Sequence, residues 1–258
     1  MCGFVGILNK NGLEVRPEIL RDMANTIHHR GPDEEGMFIS GNCGFYHKRL
    51  SIIDLKTGQQ PMTYQEFTIV FNGEIYNYIE LRNELIAKGH NFKTTSDTEV
   101  ILHAYQEYGD DFVKLLNGMF AFIIHDKRKN RIYIARDHFG IKPLYWYHDD
   151  HLILFGSEIK AILKHPEIIA TPESNHLFEY LTFQFILGEG TMFRNICKVQ
   201  TGHYITLDLN SWKLNPVKYW EPDFETDFFH TEKYYKSELQ KILDDTIKIG
   251  RASCRERV

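Results

Sequence analysis

Cys2 lies directly behind the initiator methionine and in front of Gly3. Small residues at positions 2 and 3 favour removal of Met1. Processing leaves Cys2 with a thiol and a free α-amino group on the same residue. The thiolate is the form that attacks carbon, and a free thiol has a pKa of roughly 8.5. An α-amino group titrates at about 7.7–8.0, so near neutral pH it can accept a proton and return it. An N-terminal amine serving as base for its own side chain is one variant of the nucleophile–base pair. The chemistry open to such a residue is acyl transfer, which also needs donors for an oxyanion.

Three other stretches carry residue types that acyl transfer on a charged small molecule would use. Asn72-Gly73 follows the apolar run Phe67–Phe71. It reads either as a β-turn or as two neutral donors, an amide and a backbone N–H, converging on one oxygen. Arg49 ends the apolar run Phe45–Arg49. It reads either as a surface salt-bridge partner or as a fork for a substrate carboxylate. Ser96-Asp97-Thr98-Glu99 precedes a helical pattern. One of these residues can cap the helix while an adjacent carboxylate meets an ammonium group. His148-Asp149-Asp150-His151 has ligand-type residues but reads as a hairpin tip. His28 and His29 have no ligand partners at a suitable spacing, so no metal site is expected.

The elements that must hold these residues follow from periodicity. Phe4–Leu8 is a buried strand that pins the N-terminus. A helix is predicted from Pro17 to about His28, stopped by Arg30-Gly31-Pro32-Asp33, a loop whose role at the site would be indirect. Strands are predicted at 45–49 and 67–71, and helices at 78–88 and from Ser96 through about Tyr108. Strands follow at 120–125 and 131–136, joined by a turn at 127–130. A hairpin through 148–151 leads to a strand at 152–155, and short helices are predicted at 157–163 and 175–182. A late strand is predicted at 204–209, and Trp220-Glu221-Pro222 marks a boundary. An amphipathic helix is predicted from Thr231 to about Lys248, with Leu239, Ile242, Leu243 and Ile247 on one side. The basic, patternless Ile249–Val258 reads as a non-native tail, since one frame of a common sequencing adapter encodes it.

The chain has 258 residues, 43% of them hydrophobic and 25% charged, enough for one large domain or for one domain plus the start of another. A net charge of −5 gives no polyanion footprint, so nucleic acid is not expected as a partner. There is no long uncharged apolar run to cross a membrane, and the N-terminus has no basic segment followed by an apolar one, so no signal peptide is expected. The four cysteines form no CxxC pair, which disfavours disulfides and zinc and fits a reducing cytoplasm.

Taken together, Met1-Cys2-Gly3, Arg30–Asp33, Arg49–Asp54, Asn72–Asn77, Ser96–Glu99 and Arg136–Leu144 resemble the glutaminase domain of glutamine-hydrolysing asparagine synthetases, the class II amidotransferases. The resemblance covers Cys2 to about Trp220. It implies an α+β fold, a four-layer αββα sandwich of the N-terminal-nucleophile hydrolase type, and hydrolysis of L-glutamine to glutamate and ammonia. It implies Cys2 as nucleophile, with Asn72 and the Gly73 N–H as oxyanion hole. It implies Arg49 on the substrate carboxylate, assisted by Leu50, Ser51, Ile52 and Ile53, and Asp97 with Glu74 on the ammonium. The glutaminase half needs no cofactor. ATP and magnesium belong to the family's synthetase half, whose Ser-Gly-Gly pyrophosphate loop is absent here. Residues 221–248 resemble only the linker and opening helix of that half, so hydrolysis without asparagine formation is expected of this chain. The resemblance also allows a homodimer of the full-length enzyme. The competing readings are an amidotransferase domain of an amino-sugar or purine-precursor synthase, and a non-catalytic domain that kept the fold. The Arg-Gly-Pro-Asp and Asn-Gly-Glu-Ile-Tyr-Asn forms favour asparagine synthetase over the first. The joint presence of Cys2, Arg49, Asn72 and Asp97 argues against the second.

Overall fold

The computed structural model describes residues 1–255, with side chains through Lys248. Its strands are β1 Gly3–Asn9, β2 Glu34–Ser40, β3 Cys43–Arg49, β4 Met62–Tyr64, β5 Phe67–Ile75, β6 Gly118–Asp126, β7 Arg131–Arg136, β8 Tyr145–His148, β9 Leu152–Gly156, β10 Ile196–Lys198, β11 His203–Asp208 and β12 Leu214–Lys218. The α-helices are α1 Pro17–Asn25, α2 Tyr78–Ala87, α3 Asp97–Tyr108, α4 Ile159–Leu163, α5 Ser174–Phe183 and α6 Glu232–Arg255.

The strands form two sheets of six, in the orders β10-β8-β9-β1-β3-β2 and β12-β11-β7-β6-β5-β4. Every pairing is antiparallel. Successive side chains of a strand point to opposite faces, and here both faces are apolar. On β1, Phe4 and Leu8 pack between the sheets against Val70, Ile123 and Ile134. Val5 and Ile7 pack outward with Leu20 and Met23 of α1 and Ala161 and Ile162 of α4. On β5, Val70 points inward, while Phe67, Ile69 and Phe71 meet Leu81 and Leu85 of α2 and Ile101 and Tyr105 of α3. The result is helix, sheet, sheet, helix: an α+β sandwich of four layers, as the resemblance implies. Fully burying each such Phe, Leu or Ile contributes about 1.5–3 kcal/mol.

Three local expectations are corrected. Helix α1 ends at Asn25 rather than near His28, and a 3-10 turn, His28–Arg30, replaces its last turn. Asn72-Gly73 is no turn, because β5 runs on through Ile75 with Asn72, Gly73 and Glu74 paired to Ala121, Phe120 and Met119. Helix α6 runs past Lys248 to Arg255, so the change in composition at Ile249 does not end it. Residues 256–258 of the expected tail lie outside the described residues, as do its side chains. Along α6, Leu239, Ile242, Leu243 and Ile247 are all exposed. The body closes at Tyr219, whose hydroxyl donates to the Arg136 carbonyl at 2.8 Å, and at Trp220, stacked edge-on against His138 and Phe139. No described helix is long and apolar enough to cross a membrane.

Candidate active site

Strand parity brings the chemistry-bearing residues to one end of the gap between the sheets. Phe45 and Val70 face that gap, so Arg49 on β3 and Asn72 on β5 face it too. Cys2 precedes β1 with the parity of Phe4. His47, between Phe45 and Arg49, ties the sheets together by a 3.0 Å bond to the Phe71 carbonyl. Burial holds its pKa down to about 4, so the ring is neutral and its Nε2–H donates.

The N-terminus is fixed because β1 is an interior strand. Phe4 N–H donates to Ser157 Oγ and Ser157 N–H to the Phe4 carbonyl, each at 3.0 Å. Arg30 Nε donates to the Cys2 carbonyl at 2.9 Å, and its Nη1 reaches Glu158 at 3.1 Å. The Arg30–Asp33 loop thus serves the site indirectly, and Gly31 is required there for space: a Cβ would lie 2.2 Å from the Lys48 carbonyl oxygen. The Cys2 sulfur receives the Leu50 N–H at 3.3 Å. Burial pushes the thiol pKa up, and that N–H only opposes the rise, so the group at rest is a thiol in need of a base. With Met1 in place the Cys2 nitrogen is an amide. The base therefore exists only after processing.

Cys2, Arg49, Asn72, Gly73, Glu74 and Asp97 line one cavity of about 390 Å³. Leu50, Ile52 and Ile53 line it as well, but Ser51 does not. The Ser51 N–H instead donates to Asp33 at 2.8 Å, tying the two loops together.

Beyond the short β4, the edge of β5 turns backbone N–H groups toward the cavity wall. Phe71 N–H donates to Gln60 Oε1 at 2.6 Å, and Ile75 N–H to Asp97 Oδ2 at 3.1 Å. Alternation puts the Gly73 N–H on the same edge, midway between them. A Cβ at Gly73 would lie 2.3 Å from the Met119 carbonyl oxygen, so only glycine fits this stretch of the β5–β6 pair. Beside it the Asn72 side chain is buried, and its Nδ2 has no hydrogen-bond partner. Leaving a buried amide donor unsatisfied costs about 1–3 kcal/mol. That cost is intelligible if a ligand oxygen is the partner.

Arg49 is a buried ion-pair partner rather than a surface one. Its Nη1 pairs with Glu34 at 2.5 Å, while Nη2 takes the carbonyls of Ile53 and Asp54 at 3.2 and 2.5 Å. The guanidinium is thereby fixed with the 50–54 loop wrapped around it. Asp54 braces that loop, taking Thr57 N–H and Thr95 N–H at 2.8 Å each. Burial works against the Asp54 carboxylate, yet the Thr57 and Thr95 donors hold its pKa down to about 2. On the other wall, Ser96 is the α3 cap, its Oγ receiving Thr98 N–H at 3.1 Å. Asp97 is therefore free of capping duty. Burial, with the nearby Glu74 charge, raises its carboxyl to about 7 despite the Ile75 N–H. A buried carboxyl so placed is poised to receive a cation.

Sequence reasoning gave no role to Gln60, Asp54, Asp137 or Lys142, though the last three sit inside quoted motifs. Asp137 gathers four backbone N–H groups, those of Phe120, Phe139, Ile141 and Lys142, at 2.9–3.2 Å. Nothing in residue type or spacing announces such bracing. The His148–His151 tip is a hairpin, as expected, with Asp149 Oδ1 accepting the N–H groups of His151 and Leu152 at 2.8 Å.

Residues 1–220 match the glutamine amidotransferase domain family. The chain is 44% identical over 212 residues to an asparagine synthetase [glutamine-hydrolyzing] of Bacillus subtilis, covering 80% of this chain and 33% of that one. It is 37% identical to a putative asparagine synthetase of Methanocaldococcus jannaschii, covering 96% and 52%. The chain thus spans a third to a half of these curated relatives. Among solved structures, the glutamine phosphoribosylpyrophosphate amidotransferase of B. subtilis has a similar fold, with a TM-score of 0.60, 20% identity and coverage of 86% of this chain and 50% of that one. The allosteric regulatory enzyme of purine biosynthesis gives a TM-score of 0.63 at 20% identity, with the same coverage.

Proposed function

The chain belongs to the glutamine amidotransferase domain family, in the class II form carried by glutamine-hydrolysing asparagine synthetases, and on that footing we propose that Cys2 hydrolyses L-glutamine to glutamate and ammonia. The observation that carries this assignment is the convergence of a thiol, an unsatisfied amide donor, a cation and a buried carboxyl on one cavity. Glutamine is a zwitterion with a carboxamide at its far end, and each of its polar ends has a counterpart there. Arg49 meets the carboxylate, and Asp97 with Glu74 meets the ammonium.

In this reading the freed Cys2 amine takes the thiol proton as sulfur attacks the carboxamide carbon. Asn72 Nδ2 and the Gly73 N–H hold the oxyanion. The C–N bond breaks, the amine's proton goes to the departing nitrogen, and ammonia leaves a thioester. Water then adds to the thioester, giving its proton to the amine, and the C–S bond breaks to release glutamate and the thiol. Incubation of the Met1-processed protein with glutamine should yield glutamate and ammonia in equal amounts. A folded, processed protein that releases neither would overturn the assignment.

Asp97 gives this binding a pH dependence. Only the carboxylate pairs with an ammonium, and the carboxyl titrates at about 7 in the unliganded site. Above pH 7 affinity should be flat. Below it, affinity should fall towards tenfold per pH unit as the carboxyl is protonated. Calorimetric titration of glutamine into a Cys2→Ala variant checks this without turnover. The same experiment with glutaramate, which lacks the amine, should show no such fall, and equal slopes for the two ligands would remove Asp97 from ammonium recognition.

We further propose that in the full-length protein the ammonia amidates aspartate to asparagine. ATP and magnesium enter only at that step, in the part of the relatives that this chain does not match. The asparagine synthetase relatives favour this over an amino-sugar or purine-precursor acceptor.

A further inference from the structure

Lys142 is a buried amine on the wall of the Cys2 cavity that the chemistry above leaves unused. Its backbone is held on both sides. Its N–H donates to Asp137 Oδ2 at 3.0 Å, and its carbonyl receives Arg136 Nε at 2.9 Å. Arg136 also binds the Gly140 and Val199 carbonyls, at 2.8 and 2.7 Å. The side chain therefore leaves from a braced loop, and its Nζ donates to Met1 Sδ at 3.4 Å. A thioether is a weak acceptor for a buried ammonium. Removal of Met1 takes that acceptor away and frees the Cys2 amine at the cavity that Lys142 also lines. A buried charge that loses its partner is costly unless another polar group replaces it.

We propose that Lys142 is a positioning residue for Cys2: once Met1 has gone, its ammonium keeps the freed α-amine neutral at rest and steadies the Cys2 thiolate as that amine takes the thiol proton. The assignment rests on the reading of Cys2 as nucleophile. A fixed cation favours a neighbouring thiolate and disfavours a second cation, so one charge prepares both members of the pair. Other charges face this spot from several elements: Arg30 from the 3-10 turn, Arg49 from β3, Glu74 from β5, Asp97 from α3 and Asp137 after β7. Arg30 uses Nε and Nη1 on the Cys2 carbonyl and Glu158, with its buried Nη2 unpartnered among the described residues, and Arg49 is committed to Glu34 and its own loop. Of the three cations, Lys142 is the one whose hydrogen bond disappears with Met1. Burial and the Arg30 charge lower its own pKa, while Cys2, Glu74 and Asp137 oppose that fall.

The test is the pH dependence of Cys2 alkylation by iodoacetamide, followed by mass on the N-terminal peptide of protein whose Met1 removal has been verified. Lys142→Met should raise the alkylation midpoint by about half a pH unit or more, and the acid limb of kcat/KM should move the same way. Lys142→Arg keeps the charge and should hold the wild-type midpoint. A purely structural role would lower activity without moving the midpoint. An unchanged midpoint in folded Lys142→Met, or an equal shift in Lys142→Arg, would overturn the assignment. If Lys142→Met fails to fold, Lys142→Gln carries the same measurement. Should Cys2→Ala retain activity, the nucleophile reading itself falls. With Cys2→Ala inactive and the Lys142→Met midpoint unmoved, only Lys142 loses its role.

Discussion

Cys2→Ala should lower glutamine hydrolysis by at least about 10³-fold while the domain stays folded. The substitution removes one sulfur whose recorded partners are the Leu50 N–H and carbonyl. The strand behind it is held by Ser157 and by both neighbours of β1, none of which the mutation touches. Among the described residues that line the cavity, no hydroxyl is free to take over. Ser96 Oγ is committed to the α3 cap, and Thr98 Oγ1 receives Gln60 at 3.4 Å. Thermal melting and glutamate release, measured on the same preparation, separate the two effects. Near-normal release from a sample free of wild-type protein would mean that another group performs the attack.

Asn72→Ala should lower kcat by about 10²–10³ and leave KM almost unchanged, because an oxyanion forms only after binding. The companion measurement is stability. Asn72 Nδ2 is a buried donor without a protein partner, so deleting it removes a cost from the folded state. The melting temperature should hold or rise as activity falls, the usual opposition between a prepared site and a relaxed one. A collapse in stability would make Asn72 a structural amide, and a change confined to KM would make it a substrate-binding one.

Sequence periodicity read the interior of this fold well and its margins poorly, for a physical reason. The predicted strands are mostly interior ones, whose residues are apolar on both faces. Of the five strands not predicted as such, β2, β4, β10 and β12 are the four sheet edges, and β8 was implied only as the first arm of the hairpin. Edges are short, charged or interrupted, which blunts further pairing. Strand β2 opens with Glu34-Glu35, β4 and β10 have three residues each, and β12 contains Pro216, tolerated in a sheet at an edge. Asn72-Gly73 misled in the opposite direction. A turn signal sits in mid-strand because the site needs an amide and an unobstructed N–H there, and local preference yields to that. Candidate site residues were legible as types that match a zwitterionic amide. Their support was not, since Asp54, Gln60 and Asp137 act by collecting backbone N–H groups from their own loops, from β5 and β6 and from the approach to α3, which leaves no periodic trace.

The position of Met1 on the cavity wall has a practical side. Met1 stands one residue from Cys2, and both line the same cavity. A purification tag or a reporter fused ahead of Met1 would start from the wall of that cavity. A tag there is an obstruction and a chemical block at once, because it turns the amine into an amide. Handles for purification or immobilisation belong at the far end, beyond Trp220, where the chain has already left the body of the domain.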